Sequence, residues 1–190
     1  MSYPIRSVCV FCGSSEYVAD KYHQAARDIA RAIAQAGWTT VYGGGGVGLM
    51  GTLARTALEA GGTIVGVRPR FITDLEGDQL GLTELIATTT MHERIALLFE
   101  RSDAFIALPG SCGTLDEVIQ AITWKRLALH NKPVAILDLD GFYRPLAALF
   151  EHMITEGFIV PLYRNVSRFC PDVPAVMDYL NTYEPPEPLF

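Results

Sequence analysis

The chain alternates short apolar runs with longer segments that have the period of a helix. Residues 7–11 form one continuous, mostly apolar run, and residues 20–35 repeat apolar or small residues along one helical face. The alternation continues through most of the chain without an internal repeat. It predicts an α/β fold with a mostly parallel sheet, because parallel strands need crossover connections that helices supply. The runs are apolar on both faces, as expected for a sheet covered by helices on both sides.

The same pattern sets the expected elements. Predicted strands are residues 7–11, 39–42, 63–67, 85–88, 104–108 and 133–137. Predicted helices are residues 20–35, 49–60, 91–101, 114–129, 143–156 and 173–180. With 190 residues and no linker, we expect a single domain over residues 1–190 with a doubly wound sheet. The proline-rich residues 183–190 are expected to be loose.

Composition excludes several classes of protein. The net charge of −6 argues against a broad nucleic-acid-binding face. No apolar run approaches the roughly 18 residues of a membrane helix, and the N-terminus lacks the pattern of a signal peptide. Four cysteines are too few for a disulfide scaffold, and the four histidines show no zinc spacing. We therefore expect a cytoplasmic protein with reduced thiols and no metal.

A first glycine-rich segment, residues 43–51, joins a predicted strand to a predicted helix. Its glycines, Gly44 and Gly45 among them, let the backbone approach a ligand or turn amide groups toward an anion. The segment is not a P-loop, because no Lys-Ser/Thr pair follows the glycines. It also differs from a dinucleotide fingerprint, because it follows the second strand and Arg68 stands where an acid is expected. Ligand binding and tight helix–sheet packing both remain open for this segment.

A second segment, residues 109–117, again joins a strand to a helix. Its sequence is Pro-Gly-Ser-Cys-Gly-Thr-Leu-Asp-Glu. Gly110 and Gly113 permit a backbone cradle for a phosphate, and Thr114 is placed to cap the following helix. Glu117 then has two interpretations: it closes a capping box with Thr114, or it faces a bound ligand. A third segment, residues 91–94, opens a helix with Met-His-Glu-Arg, in which Arg94 alone would be a solvated charge or an ion-pair partner.

Together these segments resemble the Lonely-Guy family of cytokinin-activating phosphoribohydrolases. The family pattern Pro-Gly-Gly-x-Gly-Thr-x-x-Glu, preceded by Met-His-x-Arg-Lys, is matched by residues 109–117 and 91–94. The resemblance extends from residues 12–15 to residues 156–159. It implies a Rossmann-like nucleotide-binding domain that needs no cofactor and forms a homodimer. It also implies hydrolysis of the N-glycosidic bond of an N6-modified adenosine 5′-monophosphate, which releases the free base and ribose 5-phosphate.

The resemblance assigns residues by position. It implies that Arg94 and Glu117 are the catalytic pair. The substrate- and phosphate-binding residues that it implies are Ser14, Gly44, Gly45, Glu76, Met91, Gly110, Ser111, Cys112, Gly113, Thr114 and Thr123. The expected partner is thus a purine nucleoside 5′-monophosphate, with neither nucleic acid nor membrane.

Two departures from the family pattern bear on the substrate. Ile95 replaces the lysine after Arg94, so we expect one polar contact to the substrate to be missing, and Ser111 replaces a glycine of the phosphate loop. AMP or another nucleotide 5′-monophosphate therefore remains an alternative substrate, and a non-catalytic nucleotide-binding protein an alternative class. No residue is an obvious acid for the departing base, for which His92 and Asp103 are the candidates.

Many bacterial members of this family carry the label "lysine decarboxylase". Pyridoxal-phosphate chemistry would need a Schiff-base lysine in the pocket. The three lysines, Lys21, Lys125 and Lys132, lie outside both glycine-rich segments. The sequence therefore argues against that activity.

Overall fold

Seven parallel strands form one sheet in the computed structural model, which describes residues 3–72 and 81–186. The strands are β1 (Ser7–Phe11), β2 (Thr39–Tyr42), β3 (Ile64–Pro69), β4 (Glu84–Thr88), β5 (Ala104–Ala107), β6 (Val134–Leu137) and β7 (Arg168–Cys170). Their order across the sheet is β4-β3-β2-β1-β5-β6-β7. Strands β2, β3 and β4 follow one another on one side of β1. The chain then crosses back, and β5, β6 and β7 follow one another on the other side. The predicted doubly wound α/β fold is confirmed, and its switch point lies between β1 and β5.

Helices cover both faces of the sheet. They are α1 (Asp20–Gln35), α2 (Gly48–Glu59), α3 (Met91–Glu100), α4 (Cys112–Arg126), α5 (Arg144–Thr155) and α6 (Val173–Asn181). The buried residues form two clusters, one shared by α1, α2 and α6 and the other by α3, α4 and α5. Within residues 3–72 and 81–186, none of the helices has the length and apolar character needed to cross a bilayer.

Strand β1 shows how the sequence divides between the two clusters. Val8 and Val10 pack on the side of α1 and α2, whereas Cys9 and Phe11 pack on the side of α3 and α4. Successive side chains of a strand point to opposite faces, so a fully buried strand must be apolar at every position. Cys9 and Cys12 have the spacing of a redox motif, but Cys12 packs with Val8 and Val10 on the opposite face from Cys9, and both thiols are free.

Helix α1 forms and ends as its sequence predicts. Its buried face consists of Ala25, Ala26, Ile29, Ala30 and Ile33. Gly37 follows the helix with φ of 70°, in the left-handed region where glycine is favoured. The Gly37 N–H donates to Ala34 O, and the Trp38 N–H donates to Ile33 O, which together make a Schellman termination.

The differences from the sequence prediction that matter most lie at α4, at β7 and in the C-terminal tail. Helix α4 starts two residues earlier than predicted and ends before Ala128, which has φ of 57°. Strand β7 was missed because it has three residues and begins with the exposed Arg168. Tyr183, the first residue of the predicted loose tail, is buried, and its hydroxyl donates to Asn131 O. The last four residues of that tail lie outside the described residues.

At the amino-terminal edge of the sheet, Asp103 joins β1 to the start of β5. Its Oδ2 atom accepts the N–H groups of Arg6 and Ser7, at 2.8 and 3.1 Å, and the Ser7 hydroxyl at 3.1 Å. This edge is opposite to the one where ligands bind in parallel sheets. Asp103 is therefore a structural residue, and its suggested role as an acid for the departing base is wrong.

We expect Asp103→Ala to lower the free energy of unfolding by about 1–3 kcal/mol, because it leaves these part-buried donors without their acceptor. Urea denaturation of the wild type and the variant measures this difference. Asp28→Ala removes an exposed aspartate from α1 and serves as the control, with an expected change within about 0.5 kcal/mol. Equal stability of the wild type and Asp103→Ala would contradict the role given to Asp103.

Candidate active site

A cleft of about 380 Å³ opens at the carboxyl edge of the sheet. Its described lining residues are Cys12, Ser14, Gly43, Gly45, Val47, Met50, Arg68, Pro69, Ile72, Met91, Arg94, Ser111, Gly113, Thr114 and Glu117. Two clefts of about 430 and 500 Å³ lie beside β7, where the described charged lining residues, such as Arg144, Arg164 and Glu151, are exposed. The cleft at the strand ends is the candidate active site, because it combines buried charged groups with apolar walls.

The chemical centre of this cleft is an ion pair between α3 and α4. The Arg94 Nη1 atom donates to Glu117 Oε1 at 2.8 Å, and both side chains are about nine-tenths buried, at 11% exposure each. The Arg94 Nε atom donates to the carbonyl oxygen of Val67 at 3.1 Å. Burial raises the pKa of the Glu117 carboxyl above its usual range, and the Arg94 charge opposes that rise. Glu117 is therefore a buried carboxyl with a raised pKa, held in one orientation by a guanidinium.

The first turn of α3 sets the position of Arg94. Thr90 is the N-cap residue, and its hydroxyl accepts the Glu93 N–H at 3.1 Å. The Glu93 carboxylate accepts the Thr89 N–H at 2.6 Å, so the helix start is fixed from both sides, as in a capping box. Arg94 follows in the next position and lines the cleft together with Met91.

Ile95 does not face the cleft. Its side chain is 6% exposed and packs in the same apolar cluster as Cys9 and Phe11. Adjacent helix positions point about 100° apart, so Arg94 reaches the cleft while Ile95 enters the core. Ile95 therefore adds nothing to the cleft lining, and the expected loss of a polar contact to the substrate stays a prediction.

The phosphate-loop candidate opens directly into α4. The helix begins at Cys112, with the extended Ser111 as its N-cap residue. Thr114 is thus the third residue of the helix rather than its cap, and the predicted capping box with Glu117 is wrong. The Leu115 N–H makes the first turn of the helix with Ser111 O at 3.0 Å. The amide groups before Leu115 lie at the positive end of the helix dipole, where anions bind.

Two glycines keep this helix start open. A Cβ atom on Gly110 would overlap the Thr114 side chain, whereas the position beside Gly113 is open. Thr114 is buried, while Ser111 is exposed at the rim. The first-turn amides and the hydroxyl groups of Ser111 and Thr114 therefore belong to the same part of the chain in the cleft lining, which suits a phosphate group.

Helix α2 also begins at a glycine-rich segment, but its start is occupied by protein. The N–H groups of Leu49 and Met50 donate to the carbonyl oxygen of Gly13, at 3.0 and 3.4 Å. Gly48 has φ of 57°, and a Cβ atom there would overlap the backbone of Ser14. This helix start therefore holds the loop after β1 in place, and the packing interpretation applies to it.

The glycines before α2 make room for cleft side chains. The position beside Gly43 is taken by the Arg94 guanidinium, and the position beside Gly45 is taken by Met50. Gly44 has φ of 77° and lies against the Cβ atom of Arg68. The segment thus shapes the cleft wall without presenting a helix N-terminus to a ligand.

The structure brings most of the sequence-predicted site residues together. Those that line the cleft are Ser14, Gly45, Met91, Arg94, Ser111, Gly113, Thr114 and Glu117. Those outside its described lining are Gly44, Gly110, Cys112 and Thr123. Thr123 lies on α4 six residues beyond Glu117, about 9 Å along the helix axis. Glu76 falls in residues 73–80, outside the described residues.

Sequence reasoning missed one charged lining residue, Arg68. It is 4% exposed and is the penultimate residue of β3, all of whose residues are buried. A charged side chain that closes an apolar strand at its carboxyl end was the available signal, because ligands bind at that edge. Met50, Pro69 and Ile72 were also missed, since apolar residues at these places are indistinguishable from core residues in sequence.

None of the three lysines is among the described lining residues of the cleft. Lys21 is exposed and pairs with Asp140. Lys132 donates to Phe99 O, and Lys125 lies under the ring of Tyr183. The cleft therefore lacks the amine that a Schiff base with pyridoxal phosphate requires.

Comparisons with known proteins agree with this geometry. A family model described as "Possible lysine decarboxylase" matches residues 50–180. A cytokinin riboside 5′-monophosphate phosphoribohydrolase of Rhodococcoides fascians is 48% identical over 169 residues, which cover 88% of this chain and 85% of that protein. A protein of the same name from Arabidopsis thaliana is 41% identical over 182 residues, covering 95% of this chain and 79% of that one.

Solved structures share the fold at lower identity. The molybdenum cofactor carrier protein of Chlamydomonas reinhardtii aligns with a TM-score of 0.68 at 23% identity, over 92% of this chain and 94% of that one. The molybdenum cofactor binding protein of Rippkaea orientalis aligns with a TM-score of 0.68 at 22% identity, over 94% and 97% of the two chains. The family model and the curated relatives settle the family. The chain belongs to the Lonely-Guy family, whose family model carries the lysine decarboxylase description.

Proposed function

We propose that this chain hydrolyses the N-glycosidic bond of a purine nucleoside 5′-monophosphate, with N6-modified adenosine monophosphates as its substrate class. The products are the free base and ribose 5-phosphate. The observation that carries the proposal is the buried Arg94–Glu117 pair in the same cleft as the open N-terminus of α4. The printed names of the relatives from Rhodococcoides fascians and Arabidopsis thaliana support the same reaction.

Glu117 is the group that acts on the reacting atoms. Cleavage of the bond builds positive charge on the ribose, as in glycoside hydrolysis. A carboxylate beside C1′ stabilises that charge and accepts a proton from the attacking water. Arg94 keeps Glu117 ionised and fixes its orientation through the 2.8 Å contact. The second hydrogen bond of Arg94, to Val67 O, fixes the guanidinium in turn.

The start of α4 binds the 5′-phosphate in this proposal. The helix dipole, the free first-turn amides and the hydroxyls of Ser111 and Thr114 all favour a dianion there. Binding energy at the phosphate then positions C1′ over Glu117, so a nucleoside that lacks the phosphate reacts poorly. Gly110 keeps this loop close to Thr114.

The apolar part of the cleft lining suits an apolar group on the base. Val47, Met50, Ile72 and Met91 form it, and Val47 and Met91 are about half exposed, at 43% and 47%. A hydrocarbon chain on N6 of adenine would cover such surface and gain about 25 cal/mol per Å² of apolar area buried. This apolar surface favours an N6-modified base over plain adenine.

We further propose that the protein is a cytoplasmic homodimer. Exposed apolar side chains on and beyond α3 and α4 support the second copy: Met91, Ile119, Leu127 and Leu129 are 36–67% exposed. Four free cysteines, three of them buried, suit a reducing compartment. Light scattering coupled to size-exclusion chromatography tests the dimer, and a monomeric mass at micromolar concentration would contradict it.

We expect purified protein to release base and ribose 5-phosphate faster from N6-isopentenyl-AMP than from AMP. The kcat/KM for N6-isopentenyl-AMP is expected to exceed that for AMP by about tenfold or more, because the N6 chain buries apolar surface against Val47, Met50, Ile72 and Met91. Chromatography of the free base provides the measurement, and N6-isopentenyladenosine without phosphate is the slow control. Preference for AMP would indicate a broader nucleotidase, and binding without release would indicate a carrier.

The dependence of kcat/KM on pH should reflect the ionisation of Glu117. Its raised pKa predicts that kcat/KM increases with pH through an acid limb above the usual glutamate range, because the ionised form is the active one. Glu117→Gln should lower kcat by about 100-fold or more and remove that limb. Asp116→Asn, an exposed neighbour on α4, is the matched control and should retain activity. The acid limb of the Asp116→Asn pH profile should move to slightly lower pH, since the Asp116 charge also raises the pKa of Glu117. Full turnover by Glu117→Gln would refute the assignment.

A further inference from the structure

The departing base needs stabilisation that Glu117 does not provide. When the bond from C1′ to the base breaks, its electron pair moves onto the base, where negative charge develops. The described lining of the cleft contains three charged residues, Arg68, Arg94 and Glu117, and no histidine, lysine, tyrosine or aspartate. His92 is exposed and outside that lining, and Asp103 lies at the other edge of the sheet. Within the described residues, the cleft thus offers cations rather than an acid to the base.

Arg94 is bound to the carboxylate that acts on the water. Its Nη1 and Nε atoms donate to Glu117 and to the Val67 carbonyl oxygen, which fixes the guanidinium against the carboxylate. The phosphate, at the start of α4, lies beyond the ends of β1 and β5. The base must then extend away from α4, toward the ends of β2 and β3.

Arg68 lies at that far end. Strand β3 is three strand spacings from β5, about 14 Å across the sheet. Val67 faces the α3 side of the sheet, where its carbonyl meets Arg94, and the next residue, Arg68, lies against Gly44 before α2. The Arg94 guanidinium fills the position beside Gly43, at the end of β2, so the two cations of the cleft lie at neighbouring strand ends.

We propose that Arg68 binds the base and stabilises the negative charge that develops on it as it leaves. This inference rests on the proposed hydrolysis. Its guanidinium donates a hydrogen bond to a ring nitrogen of the purine and keeps its own proton, since arginine stays charged in proteins. The electron pair of the broken bond stays on the base, the water oxygen bonds to C1′, and Glu117 accepts the water proton. The base anion takes a proton from solvent, and Glu117 returns its proton to solvent, so the sum is addition of one water.

A purely structural role makes a different prediction. The Cβ atom of Arg68 packs against Gly44, and the residue is 4% exposed, so its aliphatic stem also fills space. Methionine reproduces that stem without the charge. A role in packing would then survive Arg68→Met, whereas stabilisation of the leaving base would not.

The experiment compares two substrates that differ in how readily the base departs. AMP has a poor leaving group, and 6-chloropurine riboside 5′-monophosphate has a better one on the same ring system. We expect Arg68→Met to lower kcat for AMP by about 100-fold but to lower kcat for the chloropurine substrate by less than about tenfold. Arg68→Lys, which keeps a cation, should recover much of the loss on AMP. Arg70→Met is the matched control, because Arg70 is exposed and outside the described lining, and it should behave as the wild type.

Each result has a distinct meaning. Equal losses on both substrates, or no loss on either, would overturn the role of Arg68 while the wild-type activity still supports the proposed function. No base release by the wild type from either nucleotide would refute the proposed function and this inference with it. Circular dichroism establishes that each variant is folded, and if Arg68→Met is not, Arg68→Gln replaces it in the same comparison with the same expectations.

Discussion

The contact between Arg94 and Glu117 is the interaction on which the candidate site depends. Two charges with 11% exposure each lose most of their hydration, and their attraction seldom exceeds that loss. The pair is therefore a weak source of stability. It is costly to interrupt, because removal of either member leaves the other buried and uncompensated. Its value lies in geometry: α3 and α4 cannot shift against each other without breaking a 2.8 Å contact, so the carboxylate has one fixed place in the cleft.

Helices α2 and α4 both begin after a glycine-rich segment, but their N-termini have different partners. The carbonyl oxygen of Gly13 accepts the first amides of α2, so that positive helix end is neutralised by the loop after β1. No comparable backbone acceptor meets the first amides of α4 among the described residues, and a ligand can take that place. The difference follows from the orientation of Gly13, whose carbonyl oxygen meets the start of α2, while its N–H donates to Pro109 O in the loop after β5. Glycine content alone does not separate these two cases.

Much of this architecture follows from sequence periodicity. The bounds of β1, α1 and β2 agree with the sequence prediction, because apolar runs and a glycine termination mark them clearly. Whether a single side chain lines the cleft or packs in the core was harder to predict. Arg94 and Ile95 are neighbours in sequence, yet one lines the cleft and the other fills the core, and this depends on the helical phase that Thr90 and Glu93 set. Arg68 was missed for the same reason, since the role of a strand residue depends on what packs against its face.

Ser111 shows how one departure from the family pattern fits the site. A serine at an N-cap position normally accepts a helix amide with its hydroxyl and so competes with any anion for that amide. Ser111 has the extended backbone of an N-cap residue, but its side chain makes no such bond to α4. The helix amides are therefore left for a ligand, and the hydroxyl lies beside them as a further donor. In the proposed binding mode, serine at this position adds a polar contact for the phosphate and leaves the helix end open.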